Sequence, residues 1–272
     1  MQDRRSILTP QSLGDGVAKL HLGDCLEILP TLEDGSANIV LTSPPYNMNL
    51  RVRNGEYCSR QVVKEFSTKY SGYSDNLSIR EYFELSREVI NQCLRIADLT
   101  FFNIQVITGN KPAIFRLMGE FSENIKEVIV WDKEVAQPAM QVGVLNSQFE
   151  FLFVFARNDA IRRSFDDAQF SRGTLNNLWK IRRGSSKKLG HGAVMPEQLA
   201  YKVIENFTKK GDTVLDPFMG TGTTGIVANK LGRSFVGIEL IEEYFEFSKE
   251  AISPEYGQFA MFDRSREGVC GV

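Results

Sequence analysis

The 272-residue chain predicts an α/β fold: a mostly parallel sheet with helices on both faces. Three observations carry this. Short apolar stretches suited to buried strands recur along the chain, helical patterns fall between them, and a strand near residue 215 runs through a glycine-rich turn into a helix. The strand stretches are 37–41, 99–107, 127–131, 149–155, 213–215 and 234–238. The first helix, over 78–97, opens with the capping box Ser78-Ile79-Arg80-Glu81 and repeats its apolar residues at helical spacing. A second begins at Pro196, buries Leu199, Val203, Ile204 and Phe207, and stops at Lys209-Lys210-Gly211. A third, over 226–231, follows the glycines.

The length suits a single domain, 1–272, large enough to need no disulfide or metal. Its four cysteines are scattered, with no C-x-x-C pair and only two histidines, so no metal site is expected and a reduced, cytoplasmic setting is. Cys25 reads as a packing residue and Cys58 as a loop residue. The polar opening lacks the apolar core of a signal peptide, and the longest apolar run, 151–156, falls far short of the ~18 residues of a membrane span.

With 32 Lys+Arg against 34 Asp+Glu the net charge is only −2, which conceals an asymmetry. Residues 157–190 hold nine Lys/Arg and three Asp, a balance of +6; residues 51–70 hold five and two, a further +3. Both lie in long stretches, 49–76 and 157–190, without a clean period. Unpatterned stretches of that length are usually functional or disordered. Two basic segments on an acidic body suit a polyanion, although a solvated basic surface looks the same in composition.

The glycines at 220, 222 and 225 spell G-x-G-x-x-G after the strand ending at Asp216, and the next strand ends at Glu239. Glycines let the backbone approach a ligand, and an acid at the following strand's end accepts from ribose hydroxyls. A nicotinamide oxidoreductase must therefore be weighed. Against it, the loop starts so late that few residues remain for a second mononucleotide half.

The stretch 38–41 leads directly into Thr42-Ser43-Pro44-Pro45-Tyr46-Asn47. Two prolines make a stiff exit whose carbonyls no helix claims. A hydroxyl at 43, a carbonyl at 44 and a ring at 46 form a compact acceptor-plus-stacking unit. Methylating an exocyclic amino nitrogen needs one, because its lone pair is delocalised into the base and two acceptors favour charge building on nitrogen.

On these residues the chain resembles the N4-cytosine/N6-adenine DNA amino-methyltransferases in their permuted β arrangement. Ser43-Pro44-Pro45-Tyr46 resembles the catalytic motif, and Asp216-Pro217-Phe218-x-Gly220-x-Gly222-Thr223-Thr224 the S-adenosylmethionine loop. Leu22-Gly23-Asp24-Cys25-Leu26 resembles the segment near the cofactor's adenine. Val130-Trp131-Asp132-Lys133 and residues 150–155 resemble later sheet motifs. Residues 191–199 resemble the segment over the cofactor's methionine end, with Gly192 where a proline is common. The tetrapeptide precedes the cofactor loop, whereas relatives acting on protein or small substrates show the reverse order.

The resemblance implies an S-adenosylmethionine-dependent methyltransferase (Rossmann-like) fold with circularly permuted motif order. It implies methyl transfer to N6 of adenine, slightly favoured, or N4 of cytosine in a base flipped from duplex DNA, with no metal and no covalent intermediate. Serine accepts from either amino group, so both bases stay open. Ser43, Pro44, Pro45 and Tyr46 are the implied catalytic residues. Asp24, Cys25, His191, Asp216, Phe218, Gly220, Thr221, Gly222, Thr223, Thr224 and Glu239 are the implied cofactor site. Residues 157–190 take the place of a target-recognition insertion and 49–76 that of a DNA-contacting loop, with Arg51, Arg53, Arg60, Lys180, Arg182, Arg183, Lys187 and Lys188 on the DNA. A homodimer and a cognate restriction enzyme are the further implied partners, and no membrane is expected. An RNA amino-methyltransferase would share the cofactor.

Overall fold

The computed structural model describes residues 10–13, 17–48, 51–53, 56–58, 76–137, 142–158, 160–183 and 195–253; for 51–58 and residue 137 it describes the backbone alone. Eleven strands are found there. Nine form one sheet: β1 (Gln11–Leu13), β2 (Ala18–Leu22), β3 (Ala37–Thr42), β6 (Ala97–Ile104), β7 (Ile125–Gln137), β8 (Ser147–Ala156), β9 (Leu178–Lys180), β10 (Thr213–Asp216) and β11 (Ser234–Glu239). The remaining two, β4 (Arg51–Arg53) and β5 (Glu56–Cys58), pair with each other, so Cys58 ends a strand, not a loop. The helices are α1 (Cys25–Ile28), α2 (Ile79–Ile96), α3 (Lys111–Glu120), α4 (Glu197–Phe207), α5 (Thr223–Lys230) and α6 (Glu242–Ile252).

The strand order is β1-β2-β11-β10-β3-β6-β8-β7-β9. The five from β2 to β6 are parallel, β8 runs antiparallel between β6 and β7, β9 joins β7 in parallel, and β1 caps the other edge antiparallel to β2. The central strands alternate buried residues between two apolar layers. Ile39, Leu41, Val214 and Phe101 pack with α4, α5 and α6, whereas Val40, Leu215 and Phe102 pack with α1, α2 and α3. Burial on both faces is what parallel strands require.

The capping box of α2 forms as expected, Glu81 N donating to Ser78 Oγ at 3.2 Å and Ser78 N to Glu81 Oε2 at 2.9 Å. Several boundaries move, and β7 runs past the expected 127–131 at both ends. β6 begins at Ala97 and ends at Ile104, because the Asn110 side chain takes over the next backbone groups, accepting from Ile107 N and donating to the Gln105 carbonyl. α5 starts at Thr223, capped by Gly222 at φ 83°.

The stretch 157–190 is described as far as residue 183, without residue 159, and is irregular apart from β9. These residues are mostly exposed turns and bends, but the stretch is anchored: Trp179 on β9 is fully buried, and Phe165 and Phe170 stack edgewise on Phe207 of α4. Irregular backbone carrying widely spaced aromatics buries them without leaving a period in the sequence. Among the described residues, no helix is long and apolar enough to cross a membrane.

Candidate active site

From β10 the chain crosses to β11 on one side, and from β3 to β6 on the other, so a crevice opens between the carboxyl ends of β10 and β3. In open α/β sheets this switch point is where ligands sit. A cleft occupies it, lined by residues that follow β2, β3, β10 and β11. Ser43, Pro44, Pro45 and Tyr46 line it, as do Asp24, Cys25, Asp216, Phe218, Gly220, Thr221, Thr223, Thr224 and Glu239. Two motifs far apart in sequence thus share one cavity. Gly222 lies within the loop but does not line the cleft. His191, Arg60, Lys187 and Lys188, and the side chains of Arg51 and Arg53, lie outside the described residues.

On the glycine side, Asp216 is the knot that ties the turn. Its Oδ1 accepts from Thr42 Oγ1 at 2.9 Å and Phe218 N at 3.1 Å, and its Oδ2 from Thr224 Oγ1 at 2.7 Å. Burial pushes its pKa up to about 6 against these bonds. Asp216 and Thr224 therefore shape the turn with their polar atoms. Gly222 needs its left-handed backbone, and a Cβ on Gly225 would come 2.6 Å from Ile252 of α6 and 2.7 Å from Phe235 of β11. Gly225 is therefore a close-packing residue, not a ligand cradle.

Glu239 closes the turn, accepting from Gly220 N at 2.8 Å and Ile241 N at 2.9 Å, and burial raises its pKa. Each carboxylate oxygen keeps a lone pair for a hydroxyl. Asp24 caps α1 through Leu26 N at 2.9 Å and is exposed at the cleft. The Cys25 thiol is pushed up to about 12 by burial first and by Asp24 next, so it packs and does not react. Met195, Leu240, Ile241 and Tyr244 complete this side. Their apolar character gave no sequence signal of a ligand.

The other side is held by side chains. Tyr82 of α2 donates to the Pro45 carbonyl at 2.8 Å, and Asn110 Nδ2 to the Tyr46 carbonyl at 2.9 Å, fixing the tetrapeptide's path. Asn47, at φ 54°, donates to the carbonyls of Leu77 and Gly109. Ser43 Oγ and Tyr46 Oη lie 3.0 Å apart, and Tyr46 Oη donates to Glu150 Oε2 at 2.7 Å. Asn103 Nδ2 lies 2.9 Å from both Tyr46 Oη and Glu150 Oε2. On the far oxygen of Glu150, Lys133 Nζ sits at 3.3 Å and Arg183 Nη2 at 3.6 Å. Lys133 also donates to Gln105 Oε1 at 3.3 Å; its pKa is lowered, chiefly by burial. Burial, then the charge of Glu150, raises that of Tyr46 well above the phenol range, so the tyrosine stays neutral.

Asn103, Gln105, Lys133 and Glu150 were not legible as site residues. Asn103, Gln105 and Glu150 lie inside apolar strand stretches and Lys133 just past one. Lys133 and Glu150 fall in segments resembling sheet motifs, but only polarity at nearly full burial marks any of the four as part of the site. Arg183 turns inward to Glu150, whereas Lys180 and Arg182 are exposed on and just beyond β9.

A parallel sheet with a glycine turn and an acid at the switch point defines a nucleotide-cofactor enzyme of the Rossmann-like class, and the proline-rich tetrapeptide across the cleft sets it apart from dehydrogenases. The DNA methylase model for N6 and N4 enzymes matches residues 37–250. The chain belongs to that family. It is 27% identical over 268 residues to the type II methyltransferase M.HinfI of Haemophilus influenzae, covering 89% of this chain and 70% of that protein. The PvuII DNA methyltransferase, described as cytosine-N4-specific, superposes with a TM-score of 0.65 at 17% identity, over 96% of this chain and 95% of that one. The M1.HpyAVI–SAM complex gives 0.57 at 20% identity, over 86% and 98%. The protein is a DNA methyltransferase, and the nicotinamide reading falls away.

Proposed function

We propose that the protein transfers a methyl group from S-adenosylmethionine to the exocyclic amino group of a base flipped out of duplex DNA. The observation that carries this reading is the shared cleft: the glycine turn with Glu239 and Asp24 on one wall, Ser43–Tyr46 on the other. The cofactor would supply an electrophilic methyl on a sulfonium. Glu239 and Asp24 suit its ribose and adenine end, since both present carboxylate oxygens to the cleft. The apolar Phe218 and Ile241 exclude water from it.

Tyr46 holds the base by stacking, while Ser43 Oγ and the Pro44 carbonyl accept from its amino group. Charge then develops on a nitrogen already aligned for in-line displacement. No side chain is needed as a covalent nucleophile, and the buried thiol of Cys25 suits none. Lys180 and Arg182 suit phosphate contacts, with residues 157–190 as target-recognition segment and 49–76 as a second DNA-contacting loop. A second copy of the chain and a cognate restriction enzyme are the expected partners, in a cytoplasmic setting.

The deciding experiment is nucleoside mass spectrometry on DNA from cells expressing the wild type, Ser43→Ala and Tyr46→Ala. N6-methyladenine or N4-methylcytosine should rise with the wild type and far less with either variant, and which one rises identifies the base. A folded, cofactor-binding wild type that raises neither, but methylates RNA, overturns the choice of substrate.

A further inference from the structure

The four buried polar residues to which the sequence assigned no role carry one. We infer that Glu150 is a positioning residue that sets the direction of the hydroxyl protons at the tetrapeptide, so that Ser43 meets the amine only as an acceptor. The inference rests on the role proposed for Ser43.

A serine hydroxyl both donates and accepts, so by itself it is an ambiguous partner for an amino group. The surroundings of Ser43 remove the ambiguity. Glu150 is 2% exposed, and Lys133, beside it, is 1% exposed. Lys133 and Arg183 converge on Oε1, while Tyr46 and Asn103 converge on Oε2. With four donors around it, the carboxylate acts as an acceptor. Asn103 must turn its nitrogen towards Oε2, because the reverse orientation would set its oxygen against the carboxylate. Its Nδ2 also faces Tyr46 Oη at 2.9 Å and Ser43 Oγ at 3.4 Å, and a nitrogen bearing two hydrogens accepts from neither.

The single proton of Tyr46 then has two possible acceptors. Glu150 Oε2, charged and at 2.7 Å, wins over Ser43 Oγ at 3.0 Å. Tyr46 Oη is left with lone pairs, and the Ser43 proton turns to it across the 3.0 Å contact. What remains on Ser43 Oγ for a ligand in the cleft is lone-pair density. The chain of bonds runs Ser43 to Tyr46 to Glu150, with Lys133 and Arg183 balancing the charge at its end. No proton is transferred along it, and only the hydroxyl orientations are set.

The test measures single-turnover methyl transfer to duplex DNA, with DNA and S-adenosylmethionine affinities and thermal unfolding recorded for each variant. Glu150→Gln should slow transfer roughly ten- to a hundredfold, the effect of one hydrogen bond to a charged group, with both affinities within about twofold of wild type. In a Ser43→Ala background the same substitution should change the rate by no more than about twofold, because no hydroxyl remains to be oriented. Tyr46→Phe breaks the chain in its middle without leaving a buried cation unpaired. It should slow transfer about tenfold in the serine enzyme and hardly at all in the alanine one. This pair decides the matter if Glu150→Gln does not fold. Glu150→Gln or Tyr46→Phe at wild-type rate, or an undiminished effect in the Ser43→Ala background, overturns the inference. A wild type that methylates no amino nitrogen overturns the functional reading, and this inference with it.

Discussion

The two walls of the cleft are built on opposite principles. On the glycine wall the ties are mostly local: one turn between β10 and α5 is tied by Asp216 and closed by Glu239 within 24 consecutive residues, with Thr42 of β3 joining from far away in sequence. On the tetrapeptide wall the backbone supplies a stiff exit from β3, but the reacting groups are set by side chains from β6, β7 and β8 and from beyond β9. The first wall is tied mostly by residues close in sequence, through the carboxylates of Asp216 and Glu239. The second is non-local and holds a buried ion pair. A substitution on the first should therefore act on the cofactor, whereas one on the second should act on rate or on folding.

The largest way to break the second wall is Lys133→Met. It leaves the Glu150 carboxylate with Arg183 as its only cation among the described residues, and a buried pair broken on one side costs about 3–5 kcal/mol. Urea denaturation should show that loss; a midpoint within error of wild type would mean that Arg183 alone suffices. Next in size is a crossed pair. Tyr46→Ala should lower the rate of methyl transfer roughly a hundred- to a thousandfold with cofactor affinity nearly unchanged. Glu239→Ala should weaken cofactor binding at least about tenfold, as expected for losing a charged acceptor. Calorimetry with single-turnover assays separates the two, and equal losses in both properties would erase the contrast between the walls.

Asp216 sharpens the comparison through pH. Its folded pKa of about 6 lies above the ordinary 3.8, so between these values the folded state holds a proton that the unfolded state has lost. Stability from this group is full below about 4, falls as pH rises to about 6, and is flat beyond, a change of about 3 kcal/mol. Unfolding free energies of wild type and Asp216→Asn across that window should diverge in this sense, and parallel curves would place the ionised carboxylate comfortably inside its three hydrogen bonds. The smallest effect belongs to the exposed cations. Lys180→Ala and Arg182→Ala should each reduce the slope of log affinity for DNA against log salt by about one, with cofactor affinity unchanged.

The same contrast explains what could be read in advance. The strands around 37–41 and 213–215, helix α2 with its capping box, and the glycine turn are local patterns, and each formed where its residues indicated. So did the meeting of Ser43–Tyr46 with Gly220–Thr224, because both follow strands whose carboxyl ends must lie together. β9, α3 and α6 were not legible. β9 is three residues long and held by the burial of Trp179, and α6 shows solvent a row of glutamates while burying only Phe245, Ser248 and Ile252. The Glu150 network stayed hidden for a similar reason. A single charge within an apolar strand is an anomaly in sequence, and its partners become visible only when β6, β7 and β8 are laid side by side.

The order of strands also bears on how the molecule is made. β2 and β3 belong to the first 42 residues, yet they are not neighbours; β11 and β10 fill the gap between them. Val214 pairs opposite Ile39, and Glu239 opposite Leu22. When residue 200 has been made, β2 has only β1 beside it and β3 only β6, so each still has one open edge where β11 or β10 will lie. Such edges invite pairing with other chains until the missing strands emerge. Closing the sheet across that separation makes for slow assembly. The cleft lies on this last seam, so methyl transfer should appear only after the sheet has closed.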